Sequence, residues 1–326
     1  MSFPVSFPVS PPYKILIFGA TGTIGKYISN AIISADPPVG DDISIFTSDA
    51  TSRSPDKQAL LSSWKSRGVR VLTGDVSDAA RVSRVMDGVE VVVSCLGRNA
   101  LAAQTELLRL AEQSPSVKWF FPSEYGTDIE YDASSRGEKP HQLKLKVRDF
   151  IRENLERVRC THLVTGPYVD MYLDLVPNQE RLGGYDVKLR VAHVIGDGNG
   201  PVGFTSMPDV GKLLVAALRH PREAMGKVLK VQSFVTTPLA IAQEFEQQMG
   251  EKWTVRHTTI EEIRQLEAQL WDDESPAATA ATLRRIWAEG RTLYEETDNQ
   301  RLGLGSEDME SLSTVVGRAI ASLSGK

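Results

Sequence analysis

Short apolar runs alternate with stretches of helical periodicity over the first half of the chain. Between the runs, residues 24–35 place apolar side chains at helical spacing, as do DKQALLSSWKSRG and LAAQTELLRLAEQ. The runs are YKILIF (13–18), DISIFT (42–47), VRVLTGD (69–75), VEVVVSCLG (89–97), VKWFFPS (117–123) and CTHLVTG (160–166). Continuously apolar strands separated by helices predict an α/β fold, in which a doubly wound parallel sheet is covered on both faces.

After Gly166 this alternation becomes less regular. VAHVIGDGNGPVGF contains a cluster of turn residues, MPDVGKLLVAALRH has a helical pattern, and GKVLKVQ (226–232) resembles another strand. We predict an extended or disordered tail at 1–12, a cofactor domain at 13–165 to which about 190–233 return, and a smaller helix-rich substrate lobe formed by 166–189 and 234–326. Trp253, Trp271 and Trp287 either pack in the core of that lobe or form an aromatic wall for a substrate.

Composition excludes several classes of partner. A net charge of −5 without any Lys/Arg-rich run argues against nucleic acid, and no apolar run is long enough to span a membrane. The segment SFPVSFPVSPP lacks the features of a secretory signal, so a cytoplasmic location is expected. Cys95 and Cys160 lie in apolar runs and are predicted to be buried free thiols, and no metal-ligand spacing occurs. The expected partner is a small-molecule substrate, with the protein a monomer or homodimer.

A glycine-rich loop follows the first predicted strand. Its sequence, GATGTIG, is a G-x-x-G-x-x-G pattern between a strand and a helix, which lets the backbone approach a pyrophosphate at the helix N-terminus. It is not a P-loop, because Lys26 is followed by Tyr27. A dinucleotide on a Rossmann fold is therefore predicted, contacted by Gly19, Thr21, Gly22, Thr23, Ile24 and Gly25.

The tip of the second strand bears on which dinucleotide binds. Thr47 and Ser48 end that strand, with Arg53 and Lys57 nearby, and small hydroxyls beside cations suit the 2′-phosphate of NADP(H). Asp49 keeps NAD as the alternative. Asp75, at the end of the third strand, is either an adenine contact or the N-cap of the following helix.

Two common catalytic patterns are missing from the sequence. No tyrosine is followed by lysine four residues later, and no G-x-S-x-G motif is present. The predicted helix HQLKLKVRDF (141–150) instead carries two lysines. Lys144 flanks its apolar stripe, whereas Lys146 lies further toward solvent; a partly buried lysine has a lowered pKa and can act as an acid or base, although it can equally extend its amine to water. The stripe is formed by Leu143, Val147, Phe150, Ile151 and Leu155.

Four motifs in order resemble the isoflavone reductase and phenylcoumaran benzylic ether reductase family, which are atypical short-chain dehydrogenases that include NmrA-like proteins. They are GATGTIG, FFPSEYGTD (120–128), LKLKVRDFI (143–151) and IGDGN (195–199). The resemblance implies that Lys144, the first lysine of K-x-K-V-R, is the general acid/base beside a hydride-donating NADPH. Ligands are expected at the carboxyl ends of the strands. The remaining candidates are Cys95, Leu96, Gly97, Pro122 and Ser123 for the cofactor, and Arg98, Glu124, Tyr168 and Met171 for the substrate.

The chain departs from the family pattern at four positions. The family usually has arginine where this chain has Thr47, often asparagine at Gly166, and phenylalanine at Tyr125, while Arg98 adds a cation near the expected nicotinamide end. We predict an NADPH-dependent reductase of an aromatic or alkaloid-like secondary metabolite. One alternative is a non-catalytic NADP(H) redox sensor. The other is acid/base-catalysed cyclisation of an imine or iminium, in a pocket whose mouth is formed by Arg98, Glu124, Asp128, Asp132 and His141.

Overall fold

The computed structural model describes residues 10–324. The first nine residues of the predicted tail lie outside the described residues. The strands are β1 (Tyr13–Phe18), β2 (Gly40–Thr47), β3 (Arg70–Thr73), β4 (Val91–Ser94), β5 (Trp119–Phe121), β6 (Arg159–Cys160), β7 (His162–Val164), β8 (Gly184–Asp186), β9 (Val191–Ile195), β10 (Val202–Phe204), β11 (Val228–Lys230), β12 (Phe234–Thr236) and β13 (Thr254–Thr258).

Helices connect most of these strands, and short 3-10 helices cover Arg98–Ala103, Ala133–Gly137, Lys139–His141, Glu180–Leu182, Gln300–Leu302 and Ser306–Asp308. The α-helices are α1 (Gly25–Ile33), α2 (Asp49–Arg53), α3 (Pro55–Ser66), α4 (Ala79–Val85), α5 (Gln104–Gln113), α6 (Gln142–Asn154), α7 (Val169–Leu173), α8 (Met207–Arg219), α9 (Pro221–Ala224), α10 (Pro238–Met249), α11 (Ile260–Asp272), α12 (Ala278–Ala288) and α13 (Leu312–Ser324).

The main sheet is parallel, and its strand order is β3-β2-β1-β4-β5-β6. The order reverses at β1, which pairs with β2 on one side and β4 on the other, so that Phe18 lies opposite both Phe46 and Ser94. In open α/β sheets, ligands bind outside the carboxyl ends of the strands at such a reversal. The predicted doubly wound fold is confirmed, and its crevice lies where the glycine loop begins.

Alternating side chains of β1 pack against helices on both faces of the sheet. Tyr13, Ile15 and Ile17 belong to the core beneath α1 and α8, whereas Leu16 and Phe18 belong to the core beneath α4, α5 and α6. All five are buried. Because successive side chains point to opposite faces and both faces are covered, every position in the strand except the exposed Lys14 is apolar.

The predicted strand at 160–166 is divided in the structure. Its first part, β6, pairs with β5, and its second part, β7, pairs in parallel with β11. The division falls at Thr161, whose hydroxyl donates to the carbonyl of Ala224 at 2.6 Å and accepts from Trp119 Nε1 at 2.8 Å. One predicted strand therefore serves two pairings.

The C-terminal region is rich in helices and has its own cores. β8, β9 and β13 form a three-stranded sheet, while β10 and β12 pair antiparallel. Trp253 stacks on Phe245 with ring centroids 4.7 Å apart, as expected for core packing. Trp271 packs against a second apolar cluster and donates Nε1 to Thr282 at 2.9 Å. The exact division of the chain into two lobes stays a prediction.

The cysteines and the lengths of the helices bear on two expectations from composition. Cys95 and Cys160 are buried and free, as predicted. None of the helices within residues 10–324 has the length and apolar character that crossing a membrane requires.

Candidate active site

The glycine loop connects β1 directly to α1 and is tightly packed. Gly19 has φ +70°, and a Cβ there would lie 2.4 Å from the carbonyl oxygen of Cys95. A Cβ on Gly25 would lie 2.2 Å from the carbonyl oxygen of Gly19. Only glycine fits at either position, so the loop can hold the N-terminus of α1 close to the ends of β1 and β4.

A cavity of about 560 Å³ opens beside this loop. We call it the glycine-loop cavity. Most of the residues predicted to bind the cofactor line it, at the carboxyl ends of β1 to β4. The complete lining is Phe18, Gly19, Thr21, Gly22, Phe46, Thr47, Ser48, Asp49, Thr51, Gly74, Asp75, Val76, Cys95, Leu96, Gly97 and Ala100.

The second-strand tip differs in part from expectation. Thr47 and Ser48 line the glycine-loop cavity, and Ser48 also caps α2 by accepting from the amide of Thr51 at 3.1 Å. Arg53 is exposed at the end of α2, Lys57 lies in α3, and neither lines the cavity. The predicted hydroxyls therefore line the glycine-loop cavity, and the predicted cations do not.

Asp75 also lines the glycine-loop cavity. Its carboxylate accepts hydrogen bonds from the amide and hydroxyl of Ser77, both at 2.8 Å. The helix that follows, α4, is capped by Asp78, which accepts from the amide of Arg81 at 2.9 Å. The N-cap interpretation of Asp75 is therefore wrong, and its predicted contact with adenine stays open to test.

A second cavity, of about 240 Å³, adjoins the first. Gly97 lines the glycine-loop cavity and Arg98, the next residue, lines this one, which we call the lysine cavity. Four candidates for catalysis or substrate binding meet here: Arg98, Lys144, Tyr168 and Met171. The other lining residues are Tyr125, Gly126, Thr127, Ile129, Pro140, His141, Gly166, Pro167, Leu283 and Trp287.

Lys144 lies in the first turn of α6 and faces the lysine cavity, whereas Lys146 is exposed. The half-buried Lys144 donates its Nζ to the backbone carbonyl of Glu124. Burial lowers the pKa of Lys144 to about 8, the carboxylate of Glu124 opposes that shift, and the cations of Arg98 and Arg148 add to it. An amine with this pKa exchanges protons readily near neutral pH.

The apolar stripe of α6 is shorter than predicted. Val147, Phe150, Ile151 and Leu155 pack on the core beneath that face of the sheet, but Leu143 does not belong to that cluster. Leu145 and Arg148 are buried as well, so α6 is covered on more than one side.

Glu124, which was predicted to contact the substrate, does not line the lysine cavity, and its carboxylate is bound by other side chains. It accepts from Arg148 Nε at 2.8 Å and Nη2 at 2.5 Å, and it lies 2.8 Å from His162 Nδ1. Burial opposes its ionisation, but His162 and Arg148 together hold the pKa of Glu124 well below its ordinary value. The carboxylate of Glu124 anchors the loop after β5, so that the backbone carbonyl of Glu124 can accept a hydrogen bond from Lys144 Nζ.

Sequence reasoning missed Arg148 and His162. Arg148 follows Lys144 by four residues and therefore lies on the same helix face, which is a signal that the helical wheel contains. Nothing in the local sequence marks His162 as a partner of Glu124, because the two are 38 residues apart.

Ser123 and Pro122 line neither cavity, although both were predicted to contact the cofactor. The hydroxyl of Ser123 donates to the carbonyl of Leu96 at 2.8 Å, and its amide donates to Gln104 Oε1 at 2.7 Å. Ser123 therefore ties the ends of β4 and β5 together and supports Leu96 beside the glycine-loop cavity.

The predicted acidic mouth does not form. Asp128 is buried and pairs with Lys230 at 3.1 Å, and Asp132 pairs with Arg291 at 2.6 Å. His141 does line the lysine cavity, with Nδ1 3.0 Å from the carbonyl of Ser135. In the part of the chain that the structure describes, no Asp or Glu lines this cavity, so a carboxylate-stabilised cation has no support here.

Trp287 supplies the aromatic wall that was one of the two interpretations of the C-terminal tryptophans. It lines the lysine cavity, and its Nε1 donates to Thr127 Oγ1 at 2.9 Å. This bond fixes α12 against the loop after β5, so the cavity is closed by residues from both halves of the chain.

Comparisons with known proteins agree with this architecture. The sequence profile of the NmrA-like family matches residues 12–286. Eugenol synthase 1 of Petunia hybrida is 28% identical over 220 residues, covering 67% of this chain and 68% of its own length. Phenylcoumaran benzylic ether reductase Pyrc5 of Pyrus communis is 27% identical over the same length and the same shares.

Solved structures show the same fold over nearly the whole chain. The binary complex of leucoanthocyanidin reductase with NADPH from Vitis vinifera superposes with a TM-score of 0.78, at 19% identity, covering 94% of this chain and 99% of that one. A crystal structure of isoflavone reductase gives 0.76 at 20% identity, covering 95% and 100%.

Proposed function

The chain belongs to the NmrA-like family, and from that premise we propose that it is an NADPH-dependent reductase of a small aromatic secondary metabolite. It is an NADP-dependent oxidoreductase, in agreement with relatives named as reductases and with neighbours solved with NADPH or NADP⁺. The substrate and the residue that handles the proton are the parts that this proposal adds.

The glycine-loop cavity fits a dinucleotide. Gly19 and Gly25 let the loop pack closely on neighbouring backbone, which keeps the N-terminus of α1 beside the cavity, where it can face a pyrophosphate. Thr47 and Ser48 would hold the 2′-phosphate through their hydroxyls, and Asp75 would face the adenine. When bound, NADPH supplies hydride from its nicotinamide ring.

One observation carries the proposal: the amine of Lys144 lies in the lysine cavity, which adjoins the glycine-loop cavity at Gly97 and Arg98. Its pKa of about 8 leaves it mostly protonated at neutral pH. We assign it to donate that proton to a substrate oxygen, oriented by its bond to the Glu124 carbonyl. A protein that only senses the redox state of the cofactor has no need for a cavity amine with a lowered pKa.

The rest of the lysine cavity suits an aromatic molecule. Tyr168, Met171, Leu283 and Trp287 provide aromatic and apolar surfaces. Tyr168 is fixed by a hydrogen bond from its hydroxyl to the Tyr125 carbonyl. These side chains would bind a flat ring and exclude water from the ammonium of Lys144.

The test compares Lys144→Ala with Lys146→Ala, an exposed lysine on the same helix. NADPH consumption is followed at neutral pH with a panel of aromatic carbonyl compounds and benzylic ethers that includes pinoresinol. Loss of a general acid should lower kcat by about 10²–10⁴-fold in Lys144→Ala and leave the Kd for NADPH unchanged. Equal kcat in the two variants would remove Lys144 from the mechanism, and no NADPH consumption with any compound would favour the sensor.

A further inference from the structure

The side chains that line the lysine cavity carry a net positive charge. Arg98 and Lys144 both line it, and all its other lining side chains are neutral or titrate as histidine. Within residues 10–324 no acidic side chain joins them at the cavity surface. The two cations are close enough for the charge of Arg98 to lower the pKa of Lys144, after the larger effect of burial.

The guanidinium of Arg98 also makes few hydrogen bonds within the protein. Among the described residues its guanidinium has one hydrogen bond, a long one of 3.5 Å from Nη1 to the carbonyl of Pro140, and no carboxylate within 4.0 Å. Arg98 is exposed as a whole residue, while burial of part of its side chain lowers the pKa of the guanidinium. A guanidinium has five N–H donors, most of which are therefore available to a ligand.

Three other arginines use more of their hydrogen-bond donors than Arg98 does. Arg148 bonds to Glu124 and Glu130, and Arg285 pairs with Glu138, Glu267 and Glu289. Arg284 has no carboxylate at that range among residues 10–324 either, but it donates to the backbone carbonyls of residues 171, 172 and 174. Arg98 alone of these four leaves most of its donors unused, and it is the one that lines the lysine cavity.

We propose that Arg98 is an anion anchor and that the substrate is an aromatic carboxylate whose carboxyl group pairs with the Arg98 guanidinium while its ring packs on Trp287. A carboxylate matches the planar fork of arginine, which binds it through two parallel hydrogen bonds. It also offsets the repulsion between Arg98 and Lys144. The volume of about 240 Å³ favours a compact ligand of one ring with a short side chain. The inference rests on the proposed function in taking the lysine cavity as the substrate site.

Calorimetric titration of the NADP⁺-saturated protein tests this directly. The probes are cinnamate, the neutral isostere cinnamamide, and 4-ethylphenol, which carries an acidic oxygen but no carboxyl group. The wild type should bind cinnamate at least about tenfold more tightly than the other two. Arg98→Gln should abolish that preference, and Arg98→Lys should retain part of it because the charge remains but the fork is lost. The control, Arg222→Gln, removes an exposed charge from α9 and should behave as the wild type.

A second readout needs no ligand. Competitive acetylation followed by peptide mapping gives the pKa of Lys144, whose charged or titratable surroundings are Glu124, Arg98, Arg148 and His141. Because the Arg98 charge lowers this pKa, Arg98→Gln should raise it. An unchanged pKa would overturn the close placement of the two cations.

The outcomes separate this inference from the proposed function. Arg98-dependent binding of cinnamate without NADPH consumption by any compound would support the anchor and refute the reductase. NADPH consumption with neutral compounds that is unaffected in Arg98→Gln would support the reductase and refute the anchor. Equal affinity for the three probes, absence of binding by all of them, or a preference for 4-ethylphenol would each overturn the assignment of a carboxylate.

Discussion

Replacing Glu124 by glutamine should affect both stability and the proton chemistry at Lys144. The side chain of Glu124 is buried, with a relative exposure of 5%, and it partners Arg148 and His162. Glutamine keeps the volume but removes the charge. Arg148 retains the carboxylates of Glu130 at 2.7 Å and Asp128 at 4.0 Å.

The expected loss of stability follows from these contacts. Removing one partner of a buried ion pair typically costs about 3–5 kcal/mol. Because Glu130 still compensates Arg148, the cost should fall at the low end, about 3 kcal/mol. With about 2.1 cal/mol/K of unfolding entropy per residue, a chain of 326 residues should lose about 4 °C in Tm.

The pH dependence has a definite sign. The folded-state pKa of Glu124 is depressed, so its contribution is present above the unfolded value of about 4.3 and is lost as pH falls toward the folded pKa. The Tm difference between wild type and Glu124→Gln should therefore be constant near neutral pH and shrink below about pH 4.

Activity should respond at the other end of the pH range. The carboxylate of Glu124 raises the pKa of Lys144, so glutamine should bring that pKa below about 8. A protonated lysine donor is lost as pH rises through its pKa, so the basic limb of the kcat profile should move to lower pH.

Scanning calorimetry and pH–rate profiles measure the two effects, and Glu130→Gln is the control. Glu130 bonds to Arg148 and Arg152 at the edge of the site, and it should cost only about 1 kcal/mol and leave the kcat profile in place. The reasoning fails if Glu124→Gln has the same Tm as the wild type. It also fails if Glu124→Gln and Glu130→Gln shift the basic limb of the kcat profile equally.

Two further predictions concern the glycine-loop cavity. Gly25→Ala forces a Cβ to 2.2 Å from the carbonyl oxygen of Gly19, so NADPH affinity should fall at least about tenfold in a fluorescence titration; retained affinity would show that the loop relaxes. Thr47→Asp places a carboxylate where the 2′-phosphate is expected, so the preference for NADP⁺ over NAD⁺ in paired titrations should decrease or reverse; an unchanged ratio would put the phosphate elsewhere.

Features contained within one local unit could be predicted from the sequence. The glycine loop can be identified because strand, turn and helix follow one another within residues 13–33. The steric demand at Gly25 arises inside that unit, whereas the one at Gly19 comes from Cys95 and Leu96. Lys144 can be distinguished from Lys146 because both lie on one helix, where a 100° step per residue decides which side chain turns inward.

Partners of the charged residues could not be predicted in this way. Glu124, Asp128 and Asp132 lie in one loop and look alike in sequence, yet their partners are Arg148, Lys230 and Arg291 respectively. An ionised group pairs with whichever opposite charge the tertiary packing brings near. Once the pair is buried, breaking it costs several kcal/mol, about 3–5. The sequence contains these charges but does not specify their geometry.

The sequence by itself determined the doubly wound sheet, the loop that closes its first turn and the lysine on α6, because the spacing of apolar residues and the absence of a Cβ act over a few neighbouring positions. Only the tertiary structure decided that Glu124 turns its carboxylate away from the lysine cavity, that Trp287 reaches the cavity from α12, and that no carboxylate of the described residues pairs with Arg98. Those outcomes depend on contacts between residues tens to more than a hundred positions apart, which local patterns cannot encode.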